Sequence, residues 1–216
     1  FLGSSLGPSG VGLLAWAQKW AFAPLRFFMD QIIKVTFPSF SRLQDNKKEL
    51  SIAVTKSILY ICLLVFPSLV MLVLLVPSLV EIIPKYYKWA PALLPLSILV
   101  VNSALAAVTT PITNALNAIG KISVTFKLMI MWTVLTWLFV PYLALNYGVT
   151  GAAAGFTLVG LSSIIALIVA LKFIQINYLQ AMGKPALVAL ILGGVVFGIK
   201  ILIPTSTMQV VVMILG

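Results

Sequence analysis

The chain has 216 residues, 62% of them hydrophobic and only 8% charged, with 14 Lys and Arg against 4 Asp and Glu and no histidine. A soluble domain is roughly half apolar and a quarter charged, so this composition excludes a water-soluble globular fold and marks a membrane protein. The net charge of +10 does not point to nucleic acid, because the cations lie mostly in short gaps between apolar runs, where topology signals sit.

In chain order, the start "FLGSSLGPSG" carries neither a basic leader nor an initiator Met, and no secretory signal is expected. Polar, Gly and Pro clusters then divide the chain into six candidate spans at about 10–36, 52–80, 91–113, 124–145, 149–171 and 186–203, each close to the roughly 20 residues that cross a bilayer. A seventh apolar run begins near 208 and stops at the end of "MQVVVMILG". Both ends read as cut, and the chain is expected to be a segment of a longer polytopic protein. Runs this continuous lack the period of two that barrel strands need, so the fold class is all-α, a polytopic membrane helix bundle of about six transmembrane helices plus truncated helices at both ends. Cys62, alone in an apolar run, allows no internal disulfide and reads as core packing.

Basic residues set orientation, because they are retained on the cytoplasmic side. Connections 37–56, 114–127 and 172–185 hold Arg42, Lys47, Lys48, Lys56, Lys121, Lys127, Lys172 and Lys184, whereas 81–90, 146–148 and 204–207 hold only Lys85 and Lys88. The first set is therefore expected to be cytoplasmic, and the opening helix to run from outside to inside. None of these connections is long enough to form a soluble domain, which places the chemistry in the membrane.

The first span is the unusual one. "AQKWAFAPLRFFMDQIIKV" places Lys19, Arg26, Asp30 and Lys34 among aromatic and aliphatic residues. At about 100° per residue, with Lys19 at zero, Arg26 falls near −20°, Asp30 near +20° and Lys34 near +60°, and the four extend over about 22 Å of helix axis. A charge at the bilayer centre costs about 2.5 to 3.5 kcal/mol on insertion scales. A stripe facing lipid is strongly disfavoured, and the face is expected to meet a water-filled cavity. The structural alternative is that Lys19 and Lys34 reach the two interfaces while Arg26 and Asp30 neutralise each other. That alternative accounts less well for Arg26, which lies near mid-depth. The stripe has a net charge of +2 and suits an anion; Arg26, with its planar fork of donors, is the best candidate for a phosphate group. Pro24 predicts a kink in this helix.

Other features read as packing. Gly148, Gly151 and Gly155, and later Gly194 and Gly198, have spacings that let helices approach closely. Thr110, Thr113, Asn114 and Asn117 share a face at the end of the third span, where bonds between helices or capping would satisfy them. Glu81, Lys85 and Lys88 with Tyr86, Tyr87 and Trp89 read as an interfacial belt. An enzyme has little to work with: there is no His, no GxxxxGK[ST] loop and no carboxylate pair. No cofactor or metal site is expected.

The pieces "LGPSGVGLLAWAQKWAFAPLRF", "VTFPSFSRLQDNKKEL", "YYKWAPALLPL", "NALNAIGK" and "NYGVTGAAAG", in this order, resemble the carboxyl-terminal half of the polysaccharide and O-antigen flippases of the multidrug/oligosaccharidyl-lipid/polysaccharide exporter superfamily. The resemblance covers nearly the whole chain, and "FPSFSRLQD" is its most specific part. It implies one lobe of a two-lobe transporter: residues 1–171 as the end of one helix plus five spans of the carboxyl-terminal lobe, and 172–216 as a linker and additional terminal helices. It further implies an inner (cytoplasmic) membrane protein that flips an undecaprenyl-pyrophosphate-linked oligosaccharide by alternating access, for cell-surface polysaccharide biosynthesis. The implied partners are that lipid-linked oligosaccharide, membrane lipids and an amino-terminal lobe of the same chain. Lys19 and Arg26 fall on a helix that matches a cavity-lining one, with Asp30 and Lys34 carried over beside them. The alternatives are a multidrug exporter of the same superfamily, whose cavity would need carboxylates for organic cations, and a membrane-embedded glycosyltransferase or ligase acting on lipid-linked sugars, which would need His or carboxylates on a sizeable outer loop.

Overall fold

The computed structural model describes residues 1–202, and the apolar run from 208 and residue 203 of the sixth expected span lie outside them. The described residues form helices α1 (Leu2–Arg42), α2 (Lys47–Ile82), a 3-10 segment (Pro84–Ala92), α3 (Leu93–Ala118), α4 (Ile122–Leu161), α5 (Ser163–Ala170) and α6 (Tyr178–Leu202). By length and composition, four stretches are apolar enough to cross a membrane: Lys47–Ile82, Pro84–Ala118, Ile122–Ala170 and Tyr178–Leu202. The chain is thus a multi-pass helical membrane bundle. The first expected span, 10–36, is helical, but α1 is not among those four; its charged residues lower its hydropathy.

The 49 residues of Ile122–Ala170 would extend over about 74 Å as one straight helix, more than twice a bilayer's hydrocarbon core of about 30 Å. They do not run straight. Gly148 adopts φ 60°, ψ −139°, a backbone region that L residues with a Cβ rarely enter. Beyond it, α4 folds back on itself: a Cβ built on Gly155 would stand 2.9 Å from Val140 Cα, and one on Gly151 would overlap the carbonyl oxygen of Leu143. Gly148 therefore makes the turn and Gly151 and Gly155 permit the close approach, which explains the expected division between 124–145 and 149–171. On α6 the contact residue is Gly193, where a Cβ would lie 2.7 Å from Val70 Cγ1; Gly194 and Gly198 have nothing within 4 Å of theirs. Those two glycines do not serve the close packing expected of them.

The break in α1 is at Gly7 (φ 67°, ψ 172°) rather than at Pro24. Gly7 precedes Pro8, and proline disfavours the helical region for the residue before it. Pro24 lies inside the continuous part of the helix, where the non-helical dihedrals expected of a sharp kink are absent.

Buried side chains form three groups along the helices. One joins Leu14, Ala17 and Ala21 of α1 to Val76 and Val80 of α2, Leu96 and Leu99 of α3 and Ala152 of α4. The middle group joins Leu25 and Met29 to Ile61, Val65, Leu69 and Ala107. The third joins Phe40 to Leu50, Val54, Ile58, Ile112, Leu116, Ile174 and Ala181. Early residues of α1 thus meet late residues of α2, and the reverse, so the two run antiparallel. The connections rich in Lys and Arg all come to the end marked by the third group, as the basic-residue count requires. α3 is central, touching α1, α2, α4 and α5, while α6 lies along α2.

Candidate functional site

The charged stripe of α1 is positioned by the opposite side of the same helix. Leu14, Ala17, Ala21, Leu25 and Met29 are buried; Ala17 and Ala21 fall about 160° and 200° from Lys19 around the axis. Small residues there bring α1 against α2 and α3 and fix its rotation. Lys19, Arg26, Asp30 and Lys34 consequently all stand exposed on the face turned away from the described bundle. Their depths follow from the core groups: Lys19 is level with Ala17 and Ala21 in the group farthest from the basic end. Arg26 and Asp30 are level with Leu25 and Met29 in the middle group. The structure therefore brings the four residues onto one face and sets Arg26 level with the middle of the three core groups.

Among the described residues, no ion pair within 4.0 Å joins Arg26 to Asp30, so the pairing on which the structural alternative depends is not formed. The stripe is flanked by bulky apolar side chains, Phe27 at 71% exposure and Val35 at 70%. Near Lys19, Trp16 stacks on Trp89 with ring centroids 5.3 Å apart and planes 8° from parallel; Trp20 lies at 6.2 Å from Trp16. The Lys88 ammonium sits 5.3 Å from the Trp89 ring centre, a cation–π contact. The aromatic belt of the 3-10 segment is thereby anchored to the start of the charged helix.

A second polar feature lies where α3, α4 and α5 meet. Asn102, Thr109, Thr110 and Thr113 of α3, Trp132 of α4 and Ser163 of α5 line a cavity of about 240 Å³. Gly160 makes room for it, since a Cβ there would overlap Asn102 Oδ1. The threonines donate back into their own helix: Thr109 to the Leu105 carbonyl at 2.8 Å, Thr110 to that of Ala106 at 2.8 Å and Thr113 to that of Thr110 at 2.9 Å. Asn114 Nδ2, Asn117 Oδ1 and Trp132 Nε1 are buried without a hydrogen-bond partner. The expectation that bonds between helices or caps satisfy this polar set is therefore corrected: its hydroxyls bond locally and its amides are left open. The spacing 102, 106, 109, 113 is legible as one helix face, but Trp132 carries no signal, because α4 is apolar all round. Among the described residues no group of three or more His, Cys, Asp or Glu is placed to hold a metal.

A family model described as "Polysaccharide biosynthesis protein" matches residues 1–93, which include all of α1 and α2. The lipopolysaccharide biosynthesis protein WzxC of Escherichia coli (strain K12) is 27% identical over 157 residues, covering 71% of this chain and 31% of that relative. The chain thus spans about a third of the length of the curated relative it matches. No solved structure matches it. Both likenesses are to proteins of polysaccharide or lipopolysaccharide biosynthesis, over residues 1–93 for the family model and over 157 residues for the relative.

Proposed function

We propose that this chain forms part of a flippase that moves a lipid-linked oligosaccharide, carried on undecaprenyl pyrophosphate, across the cytoplasmic membrane for cell-surface polysaccharide biosynthesis. It is not an enzyme in this reading: no covalent bond changes, and the protein supplies a path. The observation that carries the proposal is the α1 stripe, which sets Arg26 level with the middle core group on a face that the described bundle does not cover. The uncovered face is where an amino-terminal lobe of the same chain would stand, and the share of the relative that the match covers is compatible with such a lobe. In this arrangement residues 1–171 belong to one lobe and residues 172–216 to appended helices.

The physical task is to carry a pyrophosphate through a layer whose low dielectric penalises it by far more than any single contact restores. Four groups spread over about 22 Å can hold the head group in successive positions. Lys19 and Lys34 attract it as point charges near the two ends, while Arg26 can bind two phosphate oxygens at once. Asp30 keeps the middle of the stripe from holding the anion too tightly. Alternating access of the two lobes would expose these positions to one side and then the other. A multidrug exporter of organic cations fits less well, because the stripe carries three cations to one carboxylate.

The test is flipping of a fluorescent undecaprenyl-pyrophosphate oligosaccharide in vesicles containing the complete protein. Arg26→Ala should abolish flipping while membrane insertion is unchanged, and Arg26→Lys should retain part of it, keeping the charge but losing the fork. Wild-type rates in Arg26→Ala would remove the stripe from the mechanism.

A further inference from the structure

A second cationic feature lies at the basic end, on α2 and the segment after α5 rather than on α1. The first turns of α2 and the segment after α5 enclose a concavity of about 580 Å³. Lys47, Lys48 and Lys172 line it, and no carboxylate does. Its walls are tied together: Ser51 Oγ donates to the carbonyl oxygen of Gln175, and the Asn177 N–H donates to Thr55 Oγ1 at 3.5 Å. Lys121 stands at its margin, 5.5 Å from the ring centre of Phe173. The acidic residues closest in sequence, Asp45 and Glu49, are not among its lining residues.

Ammonium groups gathered round one hollow repel each other unless an anion joins them. A small inorganic ion would answer that need, but beside Ser51 and Gln175 the lining also holds three apolar side chains. Ile52 and Leu171 are 47% and 46% exposed and, with Phe173, belong to the same concavity. Both stand at the ends of apolar membrane helices. A hollow with cations at its head and exposed aliphatic surface beneath suits a molecule with an anionic head group and a hydrocarbon tail. It also lies at the end that gathers the basic connections, the side on which anionic lipid head groups attract lysines.

We infer that this cavity is a binding site for an anionic membrane phospholipid, with Lys47, Lys48 and Lys172 on the phosphate and the first acyl methylenes against Ile52, Leu171 and Phe173. The occupant is a resident lipid rather than the transported one.

Native mass spectrometry of the protein, released from nanodiscs of mixed phosphatidylglycerol and phosphatidylcholine with matched chains, reads the preference directly. Each lysine near a head group of net negative charge contributes about fivefold in affinity, so the wild type should prefer phosphatidylglycerol over zwitterionic phosphatidylcholine by on the order of a hundredfold. The Lys47→Gln/Lys48→Gln/Lys172→Gln protein should lose nearly all of that preference. Lys85→Gln/Lys88→Gln at the other end should keep it. Should the triple variant fail to insert, Lys172→Gln alone must still show about a fivefold loss. A wild type without preference, or a triple or single variant that keeps it whole, overturns the site. Glycerol 3-phosphate should not displace the lipid; displacement would show a phosphate site without a lipid role and overturn the proposal. Displacement by undecaprenyl pyrophosphate at equal concentration would make the cavity a substrate site, and would overturn it as well.

Discussion

The α4 hairpin gives a sharp mutational test of the fold. In Gly151→Ala the new Cβ overlaps the Leu143 carbonyl oxygen, lies 2.7 Å from the Leu143 carbonyl carbon and 2.8 Å from Tyr147 Cβ. Two of these three atoms are backbone, so the clash cannot be relieved by a rotamer change; the two arms of the hairpin must move apart. Overpacking of this kind costs about 1 to 3 kcal/mol, and the change recovers only about 1 kcal/mol in helix propensity. Taking the upper part of that range for a backbone clash, the net loss is about 2 kcal/mol, or roughly 4 to 8 °C in melting midpoint for a chain of this size. Gly194→Ala meets nothing within 4 Å and should instead gain up to about 1 kcal/mol. Both can be followed in detergent by heating with a thiol-reactive dye, because Cys62 is the single cysteine and is fully buried. A midpoint for Gly151→Ala equal to or above that of Gly194→Ala would refute the folded-back arrangement of α4.

Trp16→Ala removes the stacked partner of Trp89; such pairs contribute about 0.5 to 1.5 kcal/mol beyond their buried area, so the same dye assay should show earlier melting, while Lys88→Ala should change it far less. Trp132→Phe deletes an indole N–H that is buried without a partner while keeping an aromatic ring, and should be neutral or slightly stabilising in thermal unfolding, since removing an unsatisfied donor avoids its desolvation penalty. Ile112→Ala, at a fully buried position among Ile58, Leu116 and Ile174, should cost about 2 to 5 kcal/mol, measured by loss of folded protein after extraction and heating.

The helical class and the places of the main connections were readable because long apolar runs admit few structures in lipid, and because Gly148 and the polar connections punctuate them. The gathering of Arg42, Lys47, Lys121 and Lys172 at one end was readable for the same reason: alternate connections must share a side. The four-residue stripe of α1 was readable as a single face, since the helical period alone places Lys19, Arg26, Asp30 and Lys34 together. What that face looks at was not readable, because rotation of α1 is set by Ala17 and Ala21 seating against α2 and α3, a contact between residues far apart in sequence. The same holds for α6. Gly193, Gly194 and Gly198 look alike in sequence, and only the phase of α6 on α2 decides that Gly193 meets Val70. Pro24 misled because a proline predicts a break only where neighbouring geometry needs one; here Gly7 before Pro8 takes it. Trp132 was invisible in a helix that is apolar all round, and only folding brings it beside Asn102 and Thr109.

The central claim is that the Arg26 face of α1 meets water and an anionic head group rather than lipid. The direct measurement is labelling of the Arg26→Cys protein, in a Cys62→Ala background of the complete chain in vesicles, with a charged, membrane-impermeant thiol reagent. Labelling at position 26 should be rapid and slowed by added undecaprenyl-pyrophosphate oligosaccharide, with little labelling of a Leu25→Cys control on the buried side. Failure of the reagent to reach position 26, with a lipid-soluble thiol reagent reacting there freely, would place the face against lipid and contradict the account.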